Sequence, residues 1–397
     1  EFSHSLWLPF EAHDHQLRAF AIAVRSKRSV LVSPTASGKS LIVYLLTRYY
    51  DSRTLIVVPN IGLVHQLYAD FADYGYVSDE HVHRIFGGQD KHTDKQVVIT
   101  TWQSVYEMDK RFFESFDLII GDEAHLFKAQ SLTKIMSSMT NTKYRFGLTG
   151  TLDGSVVNEL VLTGLFGPTE KIISTKELID SGKLASLKIK VLMLNHPKEE
   201  CQKIKGGTYQ DEVDHIVSFD PRNKFIRNLA VSLRGNTLIL YAYVEKHGEV
   251  LHDMIRDKAG ERKVFFVHGG VDGEERESIR HIVEKENDAI IVASYGTFST
   301  GINIKNLHNV VFASPTKSRI RTLQSIGRGL RISDTKDSMT LFDIADDLSH
   351  NKKKNYTLNH LIERVKMYSS EGFPYELHNI KLRSDNGSGR SLFSEDE

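Results

Sequence analysis

The sequence predicts an α/β protein built from two successive, mostly parallel sheets, each flanked by helices. Short runs rich in β-branched residues alternate with longer helical patterns, the signature of parallel strands joined by helical crossovers. The runs are almost continuously apolar, as strands buried on both faces are. The series occurs twice, in a chain of 397 residues that can enclose two full-sized cores.

Residues 29–32, 54–58, 96–99 and 117–120 read as the strands of the first sheet. Residues 188–193, 237–241, 263–267, 289–293 and 309–312 read as those of the second. Phe166-Gly167-Pro168 and the polar Ser181-Gly182-Lys183 punctuate the interval between them. The expected organisation is a first domain over 1–168, a linker over 169–185, a second domain over 186–368 and a partly disordered tail over 369–397. The charged segment 198–223 reads as an insertion, 343–347 as a turn, and the Ser-, Gly- and acid-rich stretch 384–397 as disordered.

Composition bounds the function without choosing it. A hydrophobic content of 40% and a charged content of 26% are those of an ordinary globular protein. The single cysteine, Cys201, excludes an intramolecular disulfide framework and a multi-cysteine zinc site, and a reducing compartment is the default. There is no signal-peptide pattern and no apolar run of the roughly 18 residues needed to span a bilayer. Lys and Arg number 51 against 51 Asp and Glu, so no basic field advertises nucleic-acid binding. Any such site must be a local groove of amides, hydroxyls and a few cations.

The chemistry lies in motifs. Ser33-Pro34-Thr35-Ala36-Ser37-Gly38-Lys39-Ser40 follows an apolar strand and opens an amphipathic helix. That context suits a phosphate-binding loop, in which backbone N–H groups and the helix N-terminus cradle β- and γ-phosphates. Lys39 adds a point charge and the Ser40 hydroxyl can ligate Mg²⁺. The plainer reading is a Ser/Gly-rich turn, and Ser33 stands where the general pattern has a glycine; strand–loop–helix context favours phosphate. Asp122-Glu123-Ala124-His125 follows the strand 117–120 at its carboxyl end, where ligands of open parallel sheets collect. Asp122 can hold Mg²⁺ through water while Glu123 orients and deprotonates an attacking water. If the strand continues, these two carboxylates point to opposite faces. An isolated Asp-Glu pair would be an exposed turn; beside Gly38-Lys39-Ser40 it is a catalytic candidate.

Asp122 to His125 resembles the DEAH form of motif II of superfamily 2 helicases, and further motifs follow in that family's order. The resemblance implies two tandem RecA-like domains with an ATP cleft between them, and ATP with Mg²⁺ as cofactors. Gln16 looks like the glutamine that reads adenine. Pro59 to Gln66, including Asn60, resembles motif Ia, and Thr100-Thr101-Trp102-Gln103-Ser104 resembles motif Ib. Their hydroxyls and amides would position a nucleic-acid backbone without reading sequence. Leu148-Thr149-Gly150-Thr151 is similar to motif III, implying that Thr149, Thr151 and His125 couple hydrolysis to domain motion.

Gln324-Ser325-Ile326-Gly327-Arg328-Gly329-Leu330-Arg331 is similar to motif VI. At i and i+3, Arg328 and Arg331 would share a helical face and clamp the γ-phosphate, with Gln324 beside them. Ser294 to Asn303 resembles motif V: Gly301 would lie against nucleotide, and Thr297 and Thr300 would touch DNA phosphate. Residues 237–243 look like motif IV, which places Tyr241 among the nucleic-acid contacts; His268 in the next motif reads as structural. Lys352-Lys353-Lys354 is a solvated face or a further phosphate contact. No Cys or His cluster has metal-ligand spacing.

The similarity covers about Gln16 to Tyr368 and is finest to the UvsW-type DNA helicases of tailed phages, in 63–74, Gly206-Gly207-Thr208-Tyr209-Gln210, 291–307 and 343–347. That family implies a cytoplasmic monomer acting in recombination, repair and replication restart on single-stranded and branched DNA, including forks, junctions and R-loops with their RNA–DNA hybrid. Single-strand-binding or recombination proteins are implied partners, and 3′-to-5′ movement the implied polarity. Those proteins carry a nucleic-acid-binding domain before the motor, whereas this chain begins close to Gln16. A duplex translocase of restriction type, an RNA helicase and a nucleotide-gated binding module remain as alternatives.

Overall fold

Seven strands form each of two sheets, and every ladder in both is parallel. The computed structural model describes residues 6–383 except 128, 153–155, 302–303, 334–335 and 352. Two compact units result, one running to Leu184 and including Ile320–Arg328, the other comprising Ala185–Arg319 and the chain from Gly329 onward.

The first sheet contains β1 (Arg28–Val32), β2 (Thr54–Val58), β3 (Val82–Ile85), β4 (Val97–Thr101), β5 (Leu118–Gly121), β6 (Tyr144–Thr149) and β7 (Thr169–Lys171). Their spatial order is β3-β4-β2-β5-β6-β1-β7. Helices α1 (Asp14–Ser26), α2 (Lys39–Tyr50) and α3 (Ile61–Asp73) belong to this unit. Successive residues feed opposite cores: Leu31, Ile56, Ile99 and Ile120 pack with α2, whereas Val30, Leu55, Val98 and Ile119 pack with Ile135 and Phe166. That is why the strands read as unbroken apolar runs. In α2, Leu41 through Thr47 are all buried, so the helix behind the phosphate loop is fixed almost all round.

The interval 169–185, expected as a linker, is ordered. Its start is β7, paired with β1, and its middle is α4 (Thr175–Asp180), capped by a reciprocal Ser174–Glu177 box.

The second sheet contains β8 (Ser186–Asn195), β9 (Thr237–Tyr241), β10 (Val264–Val267), β11 (Ile290–Ser294), β12 (Asn309–Phe312), β13 (Ser338–Asp347) and β14 (Tyr375–Lys381), in the order β10-β11-β9-β12-β13-β8-β14. Helices α5 (Asp220–Ser232), α6 (Tyr295–Gly301), α7 (Arg319–Gly329) and α8 (Tyr356–Ser370) accompany it. Phe225, Ile226 and Leu229 of α5 pack against Ile239, Val292, Val311 and Ile344 of four strands.

Three expectations are corrected here. Residues 343–347 are not a turn but the end of β13, in register with 191–195 of β8. Part of the expected tail forms β14, paired with β8 over Tyr375–Lys381, while 384–397 lies outside the described residues. The segment 198–223 is integral: Glu212 accepts from the backbone N–H groups of Tyr356 and Thr357 that open α8, and Arg222 is fully buried against Asp346.

Candidate nucleotide site and nucleic-acid surface

Sheet order sorts the motifs of the first unit. Strands β5, β6 and β1 are neighbours, and their carboxyl ends deliver Asp122, Thr149 and the phosphate loop to one stretch of sheet edge. Strands β2, β4 and β3 deliver Pro59, Thr101 and the Gly87-Gly88 turn to the adjoining stretch.

In the phosphate loop Ala36 (φ 68°) and Gly38 (φ 78°) are left-handed, which turns successive N–H groups inward as an anion nest needs. A Cβ at Gly38 would also displace the Gln16 amide, which packs directly on this residue. Ser33, at the position of the missing glycine, is fully buried and donates to the Ser37 hydroxyl at 2.7 Å, closing the loop from within. Gln16 faces this loop. Its Nε2 donates to the carbonyls of Ser37 (3.2 Å) and Gly38 (3.4 Å), and its Oε1 accepts from the His13 N–H (2.8 Å). Both ends of the amide thus bond the chain and hold Gln16 against the phosphate loop. Thr35, Ala36, Lys39 and Ser40 are half-buried along the same loop.

The acidic pair sits beside it. Strand β5 ends at Gly121, and Glu123 takes left-handed angles (φ 49°, ψ 44°) as the cap of a short 3₁₀ turn, Ala124–Leu126. The two carboxylates thus diverge through a turn and not, as expected, through strand alternation. Asp122 is buried and accepts from the Glu123 N–H at 2.9 Å. Burial, and then the neighbouring Glu123 charge, push its carboxyl up. Burial would raise Glu123 too, but Lys39 and then His125 outweigh it and hold this carboxylate below its usual range. Lys39 Nζ lies 3.2 Å from Glu123 Oε1 and 3.4 Å from the Ser33 carbonyl. The Gly150 N–H approaches Glu123 Oε2 at 3.4 Å. His125 bonds Thr149 through Nδ1 and lies 3.5 Å from Glu123 Oε2, and Thr149 donates to the Thr151 carbonyl at 2.9 Å. The three coupling candidates therefore form one chain of contacts ending on Glu123. A nest, an ammonium at its floor, a hydroxyl and a buried carboxylate fit a nucleotide triphosphate with Mg²⁺.

Of the nucleic-acid candidates in this unit, Gln66 and Gln103 are exposed. Gln103 Nε2 donates to the Pro59 carbonyl at 3.3 Å, joining the two motif loops. Asn60 caps α3, its side chain accepting from the Leu63 N–H at 3.0 Å. Thr101 is buried and bonded to Ser104 at 2.8 Å, so it shapes the turn and does not face a ligand.

On α7, whose residues Ile320–Arg328 group with the first unit, Gln324 is buried and Arg328 half-buried, four residues apart. The helix ends at Gly329, leaving Arg331 beyond it, so the shared face expected for Arg328 and Arg331 does not exist. A Cβ at Gly329 would crowd the Met339 sulfur of β13, so the last helical residue lies close against that strand. Tyr241 is a core residue, fully buried, with its hydroxyl 3.3 Å from the Val267 carbonyl; its expected nucleic-acid contact is corrected. Thr297 is buried and bonded to the Ser294 hydroxyl at 2.8 Å. Thr300 and Gly301 lie at the end of α6, and their surroundings fall outside the described residues.

Residues 10–154 match the family described as type III restriction enzyme, res subunit, and 220–333 match the helicase conserved C-terminal domain. Among individual proteins, the chain is 37% identical over 393 residues to the ATP-dependent DNA helicase uvsW of Enterobacteria phage T4, covering 94% of this chain and 78% of that protein. The chain belongs to the UvsW family of superfamily 2 DNA helicases. A second relative of this helicase is the DNA 3′-5′ translocase XPB2 of Sulfurisphaera tokodaii, 24% identical over 82% of this chain and 79% of that one. Among solved structures, a fragment of a putative HsdR subunit of a type I restriction enzyme from Vibrio vulnificus is 18% identical, with a TM-score of 0.69 over 95% of this chain and 70% of that chain. The likeness is one of fold, two tandem RecA-like domains. As a member of this family the protein is an ATP-hydrolysing, DNA-binding helicase.

Three residues of the helicase escape sequence reading. His15 is buried and donates from Nε2 to the Ser37 carbonyl at 2.8 Å, a second clamp beside Gln16; burial lowers its pKa. Tyr74 Oη lies 2.7 Å from Ser40 Oγ, and burial raises its phenol to about 12. Lys336 is buried with its ammonium donating to the carbonyls of Gly329, Arg331 (2.9 Å) and Lys305 (3.3 Å). Burial lowers its pKa, whereas three carbonyl acceptors favour the charged form. None belongs to a motif pattern; each is defined by what it touches.

Proposed function

We propose that this helicase uses ATP hydrolysis to unwind, anneal or branch-migrate branched DNA, namely forks, four-way junctions and R-loops, in recombination, repair or replication restart. The observation that carries the reading is identity of 37% with a phage DNA helicase across nearly the whole chain, together with a complete phosphate loop and acidic pair at one sheet edge. Ser40 and Asp122 would hold Mg²⁺, which neutralises charge on the phosphates when bound. Lys39 would leave Glu123 for the β- and γ-phosphates. Glu123, no longer engaged, would orient the attacking water and accept its proton. Arg328 and Arg331 would meet the γ-phosphate as its charge redistributes, a contribution typically of about 10³ to 10⁵ in turnover.

Gln66, Gln103 and Thr300 are the proposed contacts to the DNA backbone. Thr149, Thr151 and His125 would pass the loss of the γ-phosphate to the motif loops. Directed stepping then follows from different DNA affinities in the two nucleotide states. The relation to a 3′-5′ translocase supports that polarity.

The test is a panel of single strands, duplexes, forks, four-way junctions and RNA–DNA hybrids, read for ATPase stimulation and strand exchange at several salt concentrations. Forks and junctions should stimulate most and be converted; stimulation by RNA alone would overturn the proposal. The match of residues 10–154 to a restriction-enzyme family favours one second reading, a duplex translocase. Triplex displacement without strand separation in the same panel would select it.

A further inference from the structure

Ser40 stands in the first turn of α2, where the reading above makes its hydroxyl a Mg²⁺ ligand. Its partner in the structure is the Tyr74 phenol, at 2.7 Å. Tyr74 is the residue on which α3 ends, its N–H accepted by the Asp70 carbonyl at 2.9 Å. The ring is held on several sides. Tyr44, one turn after Ser40 on α2, packs against it at 5.3 Å, and Phe10 meets it edge-on at 5.6 Å. At the next residue, Gly75, an added Cβ would come within 2.6 Å of the Trp7 ring, so the segment following α3 is tightly covered. The phenol is therefore a fixed group, aimed at Ser40 by packing.

A hydroxyl has one proton and two lone-pair directions. With lone pairs directed to a cation, Ser40 must send its proton elsewhere, and among the described residues Tyr74 Oη is its hydrogen-bond partner. We propose that Tyr74 is a positioning residue for Ser40: it accepts the hydroxyl proton, fixes the side-chain rotamer and so turns the Ser40 lone pairs toward the nucleotide-bound Mg²⁺. This rests on the nucleotide reading of the phosphate loop. Groups standing behind metal ligands in this way typically contribute 10- to 100-fold to metal affinity. The same phenol ties the end of α3, the helix that Asn60 caps and that carries Gln66, to a ligand of the nucleotide site.

The experiment measures binding of a fluorescent, non-hydrolysable ATP analogue to the full chain in saturating Mg²⁺ and in EDTA. Tyr74→Phe keeps the ring against Tyr44 and Phe10 but removes the acceptor. It should lower the enhancement of binding by Mg²⁺ about tenfold, with binding in EDTA unchanged and the melting temperature lowered only as one lost hydrogen bond lowers it. On a Ser40→Ala background Tyr74→Phe should add nothing, because the two act as one unit. The proposal is overturned if the Mg²⁺ enhancement of Tyr74→Phe equals that of the wild type, if binding in EDTA falls equally, or if the effect persists without Ser40. A wild-type chain that binds the analogue with no Mg²⁺ enhancement would remove the nucleotide reading as well, an outcome distinct from failure of Tyr74→Phe alone.

Discussion

Glu123 holds φ 49°, ψ 44°, a left-handed conformation that costs a non-glycine residue about 1–2 kcal/mol. The surroundings repay it with the Lys39 ion pair and the Gly150 N–H. Strain offset in this way concentrates at functional sites. Tyr241 illustrates the opposite error of a motif-based reading. Position in the motif suggested DNA, yet the ring lies in the core, stacked on Phe266 at 5.7 Å. Tyr241→Phe should leave DNA affinity unchanged and cost about 1 kcal/mol of stability from the lost hydrogen bond; a DNA titration with a denaturant melt of the same variant checks both. A drop in affinity at unchanged stability would restore the motif reading. The phosphate loop and acidic pair were legible because their chemistry is contiguous in the chain. His15 and Tyr74 were not, since they meet Ser37 and Ser40 from 22 and 34 positions away.

Among elements, the buried parallel strands were legible wherever both faces are apolar, as in β2 and β9. Strand β13 was not. Its Asp343 and Asp346 are fully buried and break the apolar run. They are tolerated because Arg364 bonds Asp343 twice at 2.9 Å and Arg222 bonds Asp346 at 2.8 Å, partners that lie far off in sequence. Strand β14, exposed at the sheet edge, carries no such run at all. The end of α7 hid for a related reason: the Arg331 carbonyl beyond it is held by Lys336, a bond that helical periodicity does not show. Lys336→Met should leave carbonyls of Gly329 and Arg331 without this donor and cost about 1–3 kcal/mol. Steady-state kinetics at a temperature where the variant is folded should show kcat for ATP falling while KM stays near wild type. Unchanged kcat would mean that the tie at the helix end has no part in placing Arg331.

At the scale of the molecule, the second unit encloses buried polar clusters. His247 is fully buried, bonded to Ser314 at 2.8 Å and Asn223 at 3.2 Å, and burial followed by Arg222 pulls its pKa down to about 3. In the unfolded chain it takes up a proton near pH 6.5. Between those values the unfolded state binds more protons, so stability falls as pH drops through this window, by at most about 1.4 kcal/mol per pH unit from this one group. Denaturant melts of wild type and His247→Gln should show a shallower decline for the variant; parallel curves would reject the assignment. In the first unit the helicase places a phosphate loop, a left-handed glutamate and a lysine together. The most direct test is Glu123→Gln, assayed in one preparation for nucleotide binding, DNA-stimulated ATP hydrolysis and fork conversion. Binding should persist, hydrolysis should fall by about 10² to 10⁴, and fork conversion should fall with it. Fork conversion at the wild-type rate, with hydrolysis lost or retained, would contradict a motor driven from this site.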